Sequence, residues 1–200
     1  MSSVEAQILK GPITDIYQKF KDEFKTRKPP TPEDVFRKGL LVEKVKTIWQ
    51  KDKAVDLNSF YYPSKLLVDE QRIQFDSLED FPPKAKIVIQ GTAGQGKSIF
   101  LRYLSGKELK SGKHIPIFVE LMKISAKTNL FVLISNYLSD LGLNCKPENL
   151  QKFIQTKKFV IFLDAFDEIP LENIKDTMQM IDELVNQNPD LQMVITSRPN

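Results

Sequence analysis

A segment near the middle of the chain has the composition and spacing of a loop that binds phosphate groups. Residues 91–98 match the pattern G-x-x-x-x-G-K-[ST], and they lie between an apolar run and a helix-forming run. In such a loop backbone N–H groups converge on the phosphates, the lysine reaches the β- and γ-phosphates, and the serine hydroxyl ligates Mg²⁺. The residues predicted to bind nucleotide are Gly91, Thr92, Ala93, Gly94, Gln95, Gly96, Lys97, Ser98 and Ile99, with Ser98 also a metal ligand.

Acidic residues follow a second apolar run, residues 159–163, which is typical of a buried strand. An aspartate at the tip of such a strand, here Asp164, is suited to the magnesium shell. A carboxylate just beyond it can orient or deprotonate an attacking water, and Glu168 is favoured for this role. Asp167 is the competitor for that role, or a partner in the metal shell. The alternative is an acidic turn that only caps the following helix.

A third polar group, Thr196, Ser197 and Arg198, follows the last apolar run of the chain. Ligands of open α/β sheets bind at the carboxyl ends of the strands, so these residues are expected to face the same crevice as Lys97 and Asp164. Arg198 could there sense a γ-phosphate. Taken alone, the segment would be a surface loop.

These three segments need a scaffold that brings them together, and the pattern from Pro83 onward predicts one. Strands alternate with helices there, which is the signature of a parallel α/β sheet. Pro116 indicates that the second strand is at an edge, and Gly106 is expected to end the first helix. Predicted strands cover residues 86–90, 115–121, 159–163 and 191–196, and predicted helices cover residues 96–105, 129–141, 147–155 and 170–186, the last with Ile174, Met178, Ile181, Leu184 and Val185 inward.

The N-terminal part of the chain has a different pattern. Apolar residues recur every three or four positions from Val4 to Phe24, which predicts an amphipathic helix. Thr31, followed by Pro32 and Asp34, is a good N-cap for a second helix running to about residue 50. Between residues 52 and 83 the periodicity fades, and one small strand is expected near residues 72–75. We therefore predict a helical, effector-like or adaptor-like segment over residues 1–56 and a core over residues 57–200.

Composition excludes several classes of function. The net charge of +3 is too small to indicate nucleic-acid binding. One cysteine, Cys145, and one histidine exclude an internal disulfide and a zinc site built from such ligands, and Cys145 is expected to be a structural thiol. No apolar run approaches the roughly 20 residues that a membrane-spanning helix needs. The sequence predicts a cytoplasmic protein without a membrane segment.

Taken in order, residues 91–98, 115–121, 162–168 and 196–199 resemble the NACHT family of STAND (signal-transducing) NTPases, over residues 57–200. Ala165 departs from that family, which usually has glycine after the first aspartate of its acidic motif. The resemblance implies an α/β P-loop NTPase sheet of the ASCE type and a bound ATP or ADP with Mg²⁺. It also implies slow hydrolysis that controls self-association, and a role in innate immunity or anti-phage defence.

The resemblance further implies a sheet with strand order 5-1-4-3-2. A chain ending after its fourth strand would then leave the phosphate-loop strand with an open edge, unless residues 71–76 cover it. We therefore expect residues 1–200 to be the N-terminal portion of a longer protein, incomplete at its C-terminal end.

The sequence leaves alternatives for the nucleobase that is bound and for the mode of action. The GTP-specific pattern Asn-Lys-x-Asp does not occur in the sequence, which favours ATP. By the resemblance, adenine would pack on Tyr61 or Tyr62, although these rings could instead fill the core. The first functional hypothesis is a switch that rests with ADP bound. The others are an AAA+-like motor with continuous turnover and a nucleotide-stabilised scaffold with little hydrolysis.

Overall fold

A computed structural model describes residue 14 and residues 30–46, 52–143 and 145–199. Except for residue 14, the helix predicted from Val4 to Phe24 lies outside these ranges. The helices of the three ranges are α1 (Pro32–Gly39), α2 (Lys97–Ser111), α3 (Leu130–Asp140), α4 (Leu150–Ile154) and α5 (Leu171–Gln187). The strands are β1 (Lys44–Val45), β2 (Val55–Asp56), β3 (Lys65–Val68), β4 (Gln71–Gln74), β5 (Lys86–Gln90), β6 (Ile115–Glu120), β7 (Phe159–Asp164) and β8 (Gln192–Ser197).

The last four strands form the parallel sheet that the sequence predicts. Their order is β5-β8-β7-β6, and each neighbouring pair is parallel. The predicted edge position of β6 is confirmed, and so is the burial of β7, all of whose residues are buried. Because every strand runs the same way, the four carboxyl ends lie at one edge of the sheet.

Apolar side chains of the sheet supply two cores, one on each face, because successive residues of a strand point to opposite sides. One core includes Ile117, Ile161 and Leu163 and is covered by α3, α4 and α5. The other includes Phe118 and Phe162 and is covered mainly by α2 and the chain before β5. Burial on both faces explains why the sequences of β6 and β7 are apolar almost throughout rather than alternating.

Helix α5 buries most of the face predicted for it. Ile174, Ile181, Leu184 and Val185 belong to the core or pack against it. The prediction for Met178 is wrong, because its side chain is 51% exposed. None of the helices within the described ranges combines the length and the apolar composition that a membrane crossing requires.

The chain between residues 60 and 76 is more regular than predicted. Strand β4 covers most of the single strand expected there, but it pairs antiparallel with β3, so the two make a hairpin. Asp69 and Glu70 form its two-residue turn with φ of 46° and 66°, the conformation that two-residue hairpin turns favour. Within the described residues β5 pairs with β8 alone, so the hairpin does not cover its outer edge by hydrogen bonding.

The N-terminal end of α1 is as predicted, and its C-terminal end is not. Thr31 Oγ1 accepts a hydrogen bond from the Asp34 N–H at 3.1 Å, which confirms the N-cap. The predicted extension to residue 50 is wrong, because the helix ends at Gly39 and a 3₁₀ turn, Leu40–Glu43, leads into β1. A Cβ at position 39 would lie 2.6 Å from Leu109 Cδ2, so a larger residue where α1 ends would have to displace the Leu109 side chain of α2.

The prediction that Gly106 ends α2 is wrong. Gly106 instead lies buried inside the helix. The helix continues to Ser111 and stops before Gly112, whose φ is 70°. A Cβ at position 106 would lie 2.2 Å from Glu43 Oε1. The buried Glu43 carboxylate also accepts hydrogen bonds from Lys110 Nζ at 2.6 and 2.7 Å. The glycine therefore admits a side chain from the N-terminal segment.

Gly106→Ala tests this contact. In a free helix the change stabilises by about 1 kcal/mol, but here we expect a net loss of about 1–2 kcal/mol because the new methyl group overlaps Glu43. Urea denaturation measures the free energy of unfolding. In a Glu43→Ala background the same change should become neutral or stabilising, and an equal loss in both backgrounds would contradict the assignment.

Candidate functional site

The P-loop, residues 91–98, joins the end of β5 to the start of α2. Gly94 and Gly96 both have a φ of +79°, a conformation that residues with a Cβ rarely adopt. Nothing lies within 4 Å of a Cβ built at either position, so conformation rather than crowding requires these glycines. Gly96 is the residue before Lys97, the first residue of α2. The loop therefore presents backbone N–H groups at a helix N-terminus, where anions bind.

Two side chains of the P-loop bond back to its own backbone. Gln95 Oε1 accepts the N–H of Thr92 at 2.9 Å, and a Cβ at Gly91 would meet that same oxygen at 2.4 Å. Lys97 Nζ donates to the carbonyl oxygens of Gly91 at 2.5 Å and Thr92 at 3.0 Å. Within the described ranges Lys97 has no carboxylate ion-pair partner. No carboxylate of these ranges therefore neutralises the charge of the Lys97 ammonium.

Asp164 joins the P-loop to the last strand. Asp164 is only 5% exposed at the end of β7. Oδ1 accepts hydrogen bonds from Ser98 Oγ at 3.0 Å and from Thr196 Oγ1 at 2.6 Å. Thr196 is fully buried in β8, and its hydroxyl oxygen also accepts the N–H of Ala165 at 2.9 Å. These bonds hold an oxygen-rich group at the carboxyl ends of two strands.

Ala165 takes the left-handed conformation, with φ 60° and ψ 59°, directly after Asp164. Such a conformation costs a residue with a Cβ roughly 1–2 kcal/mol. Glycine adopts this conformation without that cost, which explains why it is favoured at the position that Ala165 occupies here. The hydrogen bond from Ala165 N–H to Thr196 helps to hold the turn.

The two remaining acidic residues are paired with Arg198. Asp167 Oδ1 accepts the backbone N–H of Arg198 at 2.8 Å, and Asp167 Oδ2 lies 2.9 Å from Arg198 Nε. Glu168 Oε1 accepts a hydrogen bond from Arg198 Nη2 at 3.1 Å. Asp167 has its side chain 16% exposed, whereas that of Glu168 is 39% exposed. Asp167 and Glu168 are thus connected to the residue that follows β8 by a second set of contacts.

A cavity of about 360 Å³ contains most of the predicted site residues. The three polar segments, which lie far apart in the sequence, all contribute to its wall. Its lining comprises Ala93, Gly94, Gln95, Gly96, Lys97, Ser98, Ile99, Asp164, Ala165, Asp167, Glu168, Thr196 and Arg198.

Tyr61 and Tyr62 are not among the residues that line this cavity. Tyr61 stacks on Tyr103 of α2 with ring centroids 3.9 Å apart, and burial raises the pKa of its hydroxyl above the usual value. Tyr62 is 83% exposed. Their role toward adenine stays a prediction. Cys145 is buried, and burial raises the pKa of its thiol to about 12, so the thiolate is scarce at neutral pH.

Sequence reasoning missed a second cavity beside the P-loop. It measures about 600 Å³ and lies between the β3–β4 hairpin and the end of β5. Lys65 and Arg72 of the hairpin line it together with Gln95 and Lys97. From the sequence, residues 71–76 are considered only as a cover for the edge of the P-loop strand, and no role is predicted for Lys65 or Arg72, because the position of the hairpin depends on tertiary packing.

The parallel sheet, the P-loop at its edge strand and the buried aspartate on a neighbouring strand define a P-loop NTPase, a class of nucleotide-binding proteins. A family model of the NACHT domain matches residues 85–200, more than half of the chain. The chain belongs to the NACHT domain family, as its motifs indicated. A search of curated proteins found no match.

Thr196→Val tests the bonding around Asp164. Valine has nearly the same shape but cannot bond the buried carboxylate or the Ala165 N–H, so we expect a loss of about 1–3 kcal/mol of stability. Denaturant unfolding measures the change. The matched control is Thr196→Ser, which retains the hydroxyl and should cost less. A valine variant as stable as the parent would show that the bonds contribute nothing.

Proposed function

We propose that the chain is an ATP-operated signalling switch, in which ADP is held in a resting state and exchange for ATP permits self-association. The observation that carries the proposal is the single cavity that contains Lys97, Ser98, Asp164 and the Asp167–Glu168 pair. Such a site has groups for holding phosphates and groups for acting on a water beside them. Slow hydrolysis would then return the switch to its resting state.

Phosphate binding is assigned to the P-loop. Its backbone N–H groups and the Lys97 ammonium would receive the β- and γ-phosphates, since Lys97 is otherwise bonded to two carbonyl oxygens that a phosphate could replace. Ser98 and Asp164 offer a hydroxyl and a carboxylate 3.0 Å apart, and oxygen ligands of these types fit Mg²⁺. When bound, Mg²⁺ would supply charge neutralisation for the phosphates.

Glu168 is the better candidate for activating water. Both oxygens of Asp167 are engaged by Arg198. Glu168 is more exposed and accepts through Oε1 alone, and within the described ranges Oε2 has no side-chain donor. A free carboxylate oxygen can take a proton from water, so Glu168 would act as the general base. Asp167 would hold Arg198 and the turn in place.

The sequence supports a choice of nucleotide and a role for the protein in the cell. Absence of the GTP-specific pattern supports ATP, and Tyr61 or Tyr62 is proposed for adenine. Self-association, a cytoplasmic location and a role in innate immunity or anti-phage defence are proposed from the resemblance and the composition. The N-terminal segment, residues 1–56, would carry the effector or adaptor role.

Nucleotide released from the purified, denatured protein tests the switch. We expect near-stoichiometric ADP by chromatography, because a resting switch must retain its product. Lys97→Ala should weaken nucleotide binding by about 3 kcal/mol, roughly 100-fold, and should yield little ADP, since a charge-assisted phosphate contact is lost.

The matched control is Lys86→Ala, a lysine at the opposite end of β5 that bonds to the carbonyl oxygens of Lys84 and Pro189. It should retain ADP. Unchanged affinity in Lys97→Ala would remove the P-loop assignment. An empty parent protein that turns over ATP rapidly would favour a motor, and tight ATP binding without cleavage would favour a scaffold.

Glu168→Gln tests the assignment of the base. It should retain ATP binding but lower the rate of hydrolysis by roughly 10²–10⁴-fold, the usual contribution of a general base. Single-turnover measurement of phosphate release separates this effect from binding. Asp167→Asn is the comparison variant, with a smaller expected effect on the rate. If Asp167→Asn has the larger effect, the two roles must be exchanged.

A further inference from the structure

Arg198 lies between two carboxylates of the same cavity. Its backbone N–H and Nε bond to Asp167 at 2.8 and 2.9 Å, and its Nη2 bonds to Glu168 at 3.1 Å. The side chain is 50% exposed and lines the cavity of about 360 Å³ that is proposed to hold the nucleotide, here called the nucleotide cavity. The side of the guanidinium formed by Nε and Nη2 is therefore occupied by carboxylates, and a phosphate that binds on that side must displace at least one of them.

The two contacts differ in how firmly they hold the arginine. Asp167 is mostly buried and bonds to the backbone of Arg198 as well as to its side chain. Glu168 is more exposed and makes one bond to an outer nitrogen of the guanidinium. A rotation about the end of the arginine side chain can break the contact with Glu168 while the backbone bond to Asp167 remains. Glu168 is thus the partner that Arg198 can exchange.

A γ-phosphate is the ligand that can take its place. ATP carries more negative charge than ADP, and its terminal phosphate offers oxygens that a guanidinium binds through two parallel hydrogen bonds. ADP lacks that group, so it has no equivalent means of drawing Arg198 away from Glu168. The contact between Arg198 and Glu168 therefore bears on ATP binding and not on ADP binding.

We infer that Glu168 lowers the preference of the site for ATP over ADP by competing with the γ-phosphate for Arg198, an inference that rests on the proposed function. The exchange of partners has a second consequence. When the γ-phosphate takes Arg198, Glu168 loses its cation and its carboxylate is free beside the phosphate. Sensing of ATP and release of the candidate base are then one event.

A simpler mechanism also predicts that removing the charge of Glu168 raises the affinity for ATP. Glu168 could disfavour ATP by direct repulsion of the γ-phosphate, without any part played by Arg198. The two mechanisms differ in whether the effect of Glu168 requires the arginine. A double-mutant cycle measures that dependence directly.

The experiment compares the parent, Glu168→Gln, Arg198→Ala and the double variant. For each, after the bound nucleotide has been removed, calorimetry measures the affinity for a non-hydrolysable ATP analogue with Mg²⁺ and for ADP. We expect Glu168→Gln to raise affinity for the analogue roughly twofold to fivefold, the range of an exposed ion pair, and to leave ADP affinity unchanged. With Arg198→Ala present the same change should have almost no effect. Arg198→Ala alone should lower the preference for the analogue.

The control variant is Asp190→Asn. Asp190 is also a carboxylate held by cations, Lys84 at 2.7 Å and Lys157 at 2.6 Å, but it is not in the nucleotide cavity. It should leave both affinities unchanged. A change as large as that of Glu168→Gln would show a general charge effect and overturn the inference.

The remaining outcomes separate the inference from the proposed function. If Glu168→Gln raises the affinity for the ATP analogue equally with and without Arg198, the cause is direct repulsion. If Arg198→Ala leaves the preference for the analogue over ADP unchanged, Arg198 does not meet the γ-phosphate. Either result overturns the inference while nucleotide binding stands. A parent protein that binds neither nucleotide would overturn the proposed function itself.

Discussion

The carboxylate of Asp164 is buried at the end of a central strand, and a buried charge without hydrogen bonds costs several kcal/mol. It accepts hydrogen bonds from two distant segments, Ser98 at the start of α2 and Thr196 on the neighbouring strand. Thr196 also bonds the N–H of Ala165, so the strained turn after Asp164 depends on the same hydroxyl. One group therefore connects the P-loop, the acidic segment and β8. The stability of this edge and the geometry of the nucleotide cavity have a common basis.

Helix α2 connects that edge to the N-terminal segment. Its first turn carries the P-loop serine, and its later turns hold the buried Glu43 through Lys110 and the space left by Gly106. Between them Arg102 donates to the carbonyl oxygen of Val42 at 3.3 Å. Val42 and Glu43 are thus in direct contact with the helix that begins at the nucleotide cavity.

Sequence reasoning was reliable where a pattern depended on neighbouring residues. The N-cap at Thr31 and the four strands of the sheet are examples. It was wrong where a distant contact decided the outcome. Gly106 and Gly112 are both reasonable helix stops by local rules, but Gly112 takes the left-handed conformation that ends α2, whereas Gly106 stays helical where Glu43 packs against it. The hairpin was incomplete in the prediction because β3 has no strong strand pattern without its partner β4.

By itself the sequence determined the class of the protein and the groups available for chemistry. Residues 91–98 and Asp164 are recognisable because glycine conformation, lysine charge and an acidic residue after an apolar strand are local properties. The tertiary structure decided which of these groups meet. The bonds from Asp164 to Ser98 and Thr196 join residues 66 and 32 positions apart, and Arg198 reaches Glu168 across 30 positions. Such pairings depend on strand order and burial, which form only when the whole sheet is assembled.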